Sequence, residues 1–412
     1  MGRLRARSRA AVAVVSTPAT EQPRFELLDA IRFAAASMVV AFHYLFNGVA
    51  GGKVTSLTLD GPPLDVAPGV VKYGYLGVPL FFLVSGFVIT RSTRGRSADR
   101  FVVGRALRLL PAYWCGVLIT STVAVWLGGQ VVHVDVPMVL ANLTMVPPLF
   151  GQPFVDGVYW TLLVELQFYL LVLALLQVGR GRLVERFVPW WALLMLGATA
   201  AGVGRVPYLG GYMGFFAAGA VLSTLQQRGA YADGRERLVL LAGLAAAYCV
   251  GVQHCVVELP ALEAQRHTTY SVPVVVALVT AGHLMLAAFC VPRVARLRVP
   301  GARALGSLTY PLYLLHAHLG YMLLNRFARP ETTWFVYPAL VAGILALSGA
   351  VHLVVEKRLE AVWRRLFEAT LGAGMRAAAG SAATCVRSWR SRPHPWLSSK
   401  TRSCSRAEPS RR

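Results

Sequence analysis

The stretch LDAIRFAAASMVVAFHYLF, residues 28–46, is apolar enough to cross a bilayer, yet it carries Asp29, Arg32 and His43. A charged side chain at the bilayer centre costs about 2.5–3.5 kcal/mol on insertion scales, so such a residue marks a site, a pathway or a structural pair. At 100° per residue, the step from Arg32 to His43 ends about 20° past three full turns. Both side chains therefore share one helix face, about 16 Å apart along its axis. Asp29 precedes Arg32 by one turn and can pair with it. The helix holds an ion pair near one end and, near the other, an imidazole able to take up a proton.

The rest of the chain agrees with a membrane setting. Of the 412 residues, 56% are hydrophobic and 15% charged, and the mean hydropathy is +0.54. Soluble domains carry roughly 25% charged residues. Apolar segments of spanning length fall at 26–46, 70–90, 110–128, 159–178, 188–204, 210–226, 238–254, 270–290, 304–325 and 334–354. The expected fold is all-α, a polytopic membrane protein of about ten transmembrane helices. The net charge of +22 raises the question of nucleic acid. No aromatic-basic binding motif accompanies it, and the cations sit in clusters between apolar runs. Arg91, Arg94, Arg96 and Arg100 form one cluster, and Arg293, Arg296, Arg298 and Arg303 another, while alternate loops hold only scattered cations such as Lys53 and Arg266. The positive-inside rule then places both termini in the cytoplasm. Arginine outnumbers lysine 37 to 4, a coding style of GC-rich genomes.

Three regions are expected. Residues 1–23 form a basic cytoplasmic leader, whose apolar run AAVAVV is shorter than a signal peptide requires. Residues 24–366 form the membrane domain, with a proline-rich outside loop or re-entrant piece at 129–157. Residues 367–412 are rich in Ser, Arg and Ala and read as a basic, disordered cytoplasmic tail drawn to anionic lipid. The six cysteines show no ligand spacing, so no metal is expected. His133, His254 and His267 also lack metal spacing, and His283, His318 and His352 read as ordinary.

Two further stretches carry ionisable groups. WTLLVELQFYLLVLALL, residues 160–176, contains Glu165, placed by its position one to two turns below the outer surface. His43 is expected at that level, and a carboxylate beside a histidine makes a general base. The alternative is two unrelated polar residues in separate helices. DRFVVGRALRLLPAYW, residues 99–114, sets Arg105 and Arg108 one turn apart at a membrane mouth. Paired guanidinium groups suit a phosphate-bearing ligand, and lipid phosphates equally.

Taken in order, these segments resemble the acyltransferase-3 family of integral membrane O-acyltransferases. Asp29, Arg32 and His43 fall on its first motif. GYLGVPLFFLVSGFVIT (74–90) carries Phe81, Phe82 and the run Ser85-Gly86-Phe87, read as a tight helix end. RALRLLPAYW supplies Arg105, Arg108 and Pro111, and WTLLVELQFY supplies Trp160, Glu165, Phe168 and Tyr169. LGSLTYPLYLLH gives Tyr310, Tyr313 and His316, and VVEKRL gives Glu356 and Lys357. Thr309 departs from the family's more frequent serine but keeps a hydroxyl. The chain looks like the stand-alone form, without a fused esterase-like domain.

The resemblance implies a multi-pass enzyme of the bacterial cytoplasmic membrane that moves an acyl group, usually acetyl, from acyl-CoA to a hydroxyl. The acceptor would be a natural product such as a macrolide, or a cell-surface carbohydrate. Arg32, Arg105 and Arg108 would bind the donor's phosphates. His43 would act as base with Glu165 orienting it, or carry the acyl group transiently. Asp29, Ser85, Trp160, Tyr310 and His316 would support the site. Tyr310 and His316, six positions apart, do not share a helical face closely, so one would line the pocket and the other packing. A transporter or flippase for a glycan or lipid-linked substrate is the alternative, since intramembrane charges also mark transport routes. Such proteins show matching broken helices in two halves, and this sequence shows no such symmetry.

Overall fold

The computed structural model describes residues 25–59, 68–129, 132–179, 181–229 and 231–378, and among these there is no strand. The basic leader and the chain beyond residue 378 lie outside the described residues. Only helices satisfy every backbone polar group within a single apolar segment, which is why the apolar runs fold this way. The segments are α1 (Glu26–Ala50), α2 (Gly69–Ser92), α3 (Ala98–Leu127), α4 (Val136–Leu143), α5 (Trp160–Gly179), α6 (Gly181–Ala200) and α7 (Met213–Arg228). They continue as α8 (Gly234–Arg266), α9 (Val272–Cys290), α10 (Ala302–Leu315), α11 (Ala317–Phe327), α12 (Pro330–Arg358) and α13 (Glu360–Phe367).

Seven of these, α1, α2, α3, α5, α8, α9 and α12, are long and apolar enough to cross a membrane. The other three expected spans are also helical but differ in kind. α6 begins with Arg182, Glu185 and Arg186, and the ninth is broken at His316 into α10 and α11. α7 is short, and every residue from Met213 to Thr224 is buried, so it serves as the hub of the bundle. The multi-pass helical fold holds, with seven helices meeting the length and apolarity of a span.

Close crossings organise this hub. A Cβ on Gly86 of α2 would sit 2.1 Å from the Phe216 carbonyl oxygen of α7, and one on Gly219 would sit 1.9 Å from the Leu83 carbonyl oxygen. Small residues let helix backbones approach where lipid offers no hydrophobic drive for association. Ser85-Gly86-Phe87 therefore lies in the interior of α2 and makes a helix crossing, not the helix end expected from its composition. Phe87 is buried at 0% exposure, its ring against those of Phe25 and Phe289.

The stretch between α3 and α5 re-enters the bundle. Tyr113 and Trp114 of α3 donate to the Asn142 and Leu143 carbonyls, each at 2.8 Å. Those residues lie about 20 Å back from the far end of α3 at 1.5 Å per residue. After α13 the chain stays helical through residue 378, past the expected start of the tail. Phe367 explains this extension, because it buries against Val103 and Ala106 of α3.

Candidate functional site

The face of α1 that carries Arg32 and His43 looks onto two cavities and a polar cluster, in that order. The first cavity is an open basin of about 2050 Å³ at the end where α1 begins. It is lined by Arg32, Arg91, Arg94, Arg96, Arg100, Arg108, Arg303, Lys357, Arg364 and Arg376, against the carboxylates of Asp29, Asp99 and Glu368. Clusters far apart in sequence are thus gathered onto one mouth. Some of that charge is already paired: Arg94 donates to Glu185, Arg303 lies 2.9 Å from Glu26, and Arg376 lies 3.4 Å from Asp99. Arg108 reaches Glu356 only at 4.0 Å and lies over the Tyr310 ring at 5.3 Å. Glu356 is held by His352 at 2.6 Å on a widened turn spanning His352–Arg358.

Arg105 behaves differently from Arg108. Its guanidinium lies against the rings of Phe101 and Tyr169, at 5.9 and 5.7 Å, and it does not line the basin. Positions three apart on a helix differ by about 60°, enough to send one arginine to the mouth and the other into the bundle.

Arg32 also lines a second, inner cavity of about 50 Å³, together with Phe81, Ser85, Thr161, Glu165, Tyr310 and Tyr313. Glu165 accepts from Ser85 Oγ at 3.0 Å and from Tyr169 Oη at 2.7 Å. Arg32 lies in the electrostatic field of Glu165 and Asp29. Tyr310 donates to the Leu109 carbonyl at 3.0 Å, which pins α10 to α3 at this level. Tyr313 meets Thr161 Oγ1 at 3.0 Å and packs edge-on to Phe81 at 5.6 Å.

Beyond Tyr313 lies the imidazole cluster. The His316 ring is 5.6 Å from Tyr313 and 5.0 Å from His43. His43 sits on a widened turn, His43–Asn47, which carries His43 and Asn47 to the same partner. Tyr321 on α11 hydrogen-bonds His43 Nδ1 and accepts from Asn47 Nδ2 at 2.9 Å. Arg266, at the end of α8, donates from Nε to Asn47 Oδ1 at 2.7 Å and lies over the Phe42 ring at 5.1 Å. His318 accepts from the Gly157 amide at 3.3 Å, and its own amide donates to Asp156 Oδ2 at 2.8 Å.

The sequence pairing of His43 with Glu165 is not what the structure assembles. Among the described residues the hydrogen-bond partner of His43 is Tyr321, while Glu165 bonds Ser85 and Tyr169 beside Arg32. Depth is the reason. Asp156 and Gly157 already bond His318 at the His43 level, so Glu165 lies about 12 Å further along the chain's descent. Trp160 lines neither cavity and packs on Tyr212 at 5.2 Å. Asp29 is buried against Gly306, where a Cβ would come within 2.6 Å of its own.

Sequence reasoning missed Tyr321, Asn47, Arg266, His318 and Asp156. Asn47 alone had a local signal, one turn after His43. Among the described residues, no group of three or more His, Cys, Asp and Glu side chains is placed to hold a metal ion.

Comparison with known proteins adds to this geometry. The family model of the acyltransferase domain (acyltransferase-3) matches residues 25–353. Nodulation protein 10 of Rhizobium leguminosarum bv. viciae is 30% identical over 171 residues, which cover 37% of this chain and 44% of that protein. The match thus spans less than half the length of that curated relative. No solved structure matches.

Proposed function

Because this chain belongs to the acyltransferase domain family, we propose that it is a membrane O-acyltransferase, which moves an acyl group from acyl-CoA to a hydroxyl at His43. The observation that carries the reading is the order of parts along α1. A basin rich in arginine lies at one end, a narrow polar cavity follows, and two histidines lie beyond it, His43 being about 16 Å from Arg32 along the helix. A donor with several phosphates and a long, thin arm suits that order. Arg108 and its neighbours would hold the phosphates by charge-assisted hydrogen bonds. The arm would run past Arg32, Ser85, Glu165 and Tyr313, and the thioester would reach the imidazoles. Glu165 then belongs to the passage, as partner of Arg32, and His316 takes its place beside His43.

The basin is the cytoplasmic side in this reading, and the bundle spans the bacterial cytoplasmic membrane with the acceptor at the far end. Acetyl is the acyl group proposed, and the acceptor is a natural product such as a macrolide or a cell-surface carbohydrate. Acyl transfer assayed in membranes with radiolabelled acetyl-CoA tests both ends of the site. His43→Ala is expected to lose turnover by a factor on the order of 10³ while still inserting and accumulating. Full turnover in that variant removes the central claim. Arg108→Ala is expected to raise KM for acetyl-CoA about tenfold, the loss of one charged hydrogen bond, with kcat little changed. An unchanged response to acetyl-CoA concentration places the donor phosphates elsewhere.

A further inference from the structure

The hydrogen bonds around His43 run in one direction. Arg266 has only donors, and its Nε donates to Asn47 Oδ1 at 2.7 Å. That contact fixes which way the Asn47 amide faces, so Nδ2 donates to Tyr321 Oη at 2.9 Å. The Tyr321 hydroxyl has one proton to give, and among the described residues its remaining partner is His43 Nδ1. His43 Nδ1 therefore accepts, and the neutral ring carries its proton on Nε2. His316 is arranged the other way. Its Nδ1 faces the Tyr313 carbonyl at 2.9 Å, which can only accept, so Nδ1 bears the proton. Its Nε2 is a lone pair, buried and with no hydrogen-bond partner among the described residues. Arg266 Nη1 is likewise buried with no hydrogen-bond partner among the described residues, but it is a donor; an unpartnered buried acceptor such as His316 Nε2 calls for its own reason.

Resting on the acyl-transfer reading of this site, we propose that the two imidazoles divide the chemistry. His316 Nε2 is the base that takes the acceptor's proton, and His43 Nε2–H donates a hydrogen bond to the thioester carbonyl oxygen. Arg266, Asn47 and Tyr321 are positioning residues that set the His43 tautomer. In the step, the bond from acceptor oxygen to carbonyl carbon forms and the carbon–sulfur bond breaks. The acceptor proton moves to His316 Nε2 and from there to the departing thiolate sulfur, while His43 keeps its own proton. The other charged or titratable groups facing the pair are Arg266 and His318 around His43, and Asp156 and His318 around His316, with the Tyr44, Tyr313 and Tyr321 rings packed between. No carboxylate hydrogen-bonds either ring among the described residues.

Asn47→Asp is the sharpest test, because it keeps the shape and reverses the chain. A carboxylate there accepts from Arg266 and from Tyr321 alike. Tyr321 then turns its proton away from His43, whose ring must protonate Nδ1 instead. Nitrogen-15 spectra of the full-length, histidine-labelled protein in lipid nanodiscs read both tautomers without any acceptor, with signals assigned from His43→Gln and His316→Gln. The expected wild-type result is Nε2–H at His43 and Nδ1–H at His316. Asn47→Asp should invert His43 alone and lower kcat on the order of 10²–10⁴-fold, the range for a mis-set catalytic tautomer, with KM for acetyl-CoA little changed. Tyr321→Phe should leave His43 as a mixture of tautomers. A wild-type His43 protonated on Nδ1, or a tautomer unmoved by Asn47→Asp, overturns the positioning chain. A His316→Gln variant with wild-type turnover overturns the base assignment. If His43→Gln and His316→Gln are both fully active, the acyl-transfer reading itself fails, while the spectra still report whether the tautomers are set as described.

Discussion

Glu165 is a carboxylate in the middle of an apolar helix, and its neighbours explain how it is tolerated. Ser85 and Tyr169 donate to it, and Arg32 supplies the opposing charge. Removing one member of a buried ion pair leaves the other uncompensated, at a cost of about 3–5 kcal/mol. Arg32 acts on Glu165 through its field and also faces Asp29, so Glu165→Gln is expected below that range, at about 1–2 kcal/mol. Thermal unfolding of the detergent-purified protein should show a clear drop for Glu165→Gln and a partial recovery in the double variant with Arg32→Gln. A double-variant loss equal to the sum of the Glu165→Gln and Arg32→Gln losses means that the two residues are not coupled. The face shared by Arg32 and His43 was legible in the sequence because helix periodicity alone places it. The partner of His43 was not, because depth was counted from the first residue of α5, and the re-entrant stretch before it already lies at the His43 level. Tyr321 and Arg266 were hidden for a related reason: which way a lone polar side chain turns depends on the helices packed around it.

At the scale of elements, the crossing of α2 with α7 sets the position of Ser85 and hence of Glu165. Gly86 and Gly219 meet backbone, not the ends of flexible side chains, so nothing can move aside without shifting a helix. Overpacking of this kind costs about 1–3 kcal/mol and is felt along the element. Gly86→Ala is expected to lower both the unfolding temperature and kcat. Gly343→Ala on α12 has open space around the new methyl and gains helix propensity, so it should be neutral or slightly stabilising. Matching losses in both variants would show that the close crossing has no special role. Composition suggested a helix end at Ser85-Gly86-Phe87, since glycine in an apolar run reads equally as a break or a contact. The long helices themselves were legible from length and hydropathy. α7 and the break at His316 were harder, because a helix buried on all sides needs no membrane-spanning length.

For the whole molecule, charge and shape both support the proposed order of donor end and acceptor end. The ten basic side chains around the basin come from residues 32 to 376, so it is the fold, not one motif, that concentrates them. Such a mouth attracts polyanions over roughly a Debye length, about 8 Å at physiological salt. In the proposed topology that mouth is cytoplasmic, where acyl-CoA would be met, and Lys53, just past the His43 end of α1, is outside. Cysteine labelling in a background without the native cysteines tests this arrangement. Lys53→Cys should react with an impermeant maleimide added to intact cells, and Arg96→Cys only after lysis. In lysed membranes, acetyl-CoA should slow labelling at Arg96→Cys, less so as salt rises, and leave Lys53→Cys unchanged. The reverse accessibility inverts the topology and separates the basin from any cytoplasmic donor. Protection at Lys53→Cys instead would put the donor at the histidine end, and the order of parts along α1 would then need another explanation.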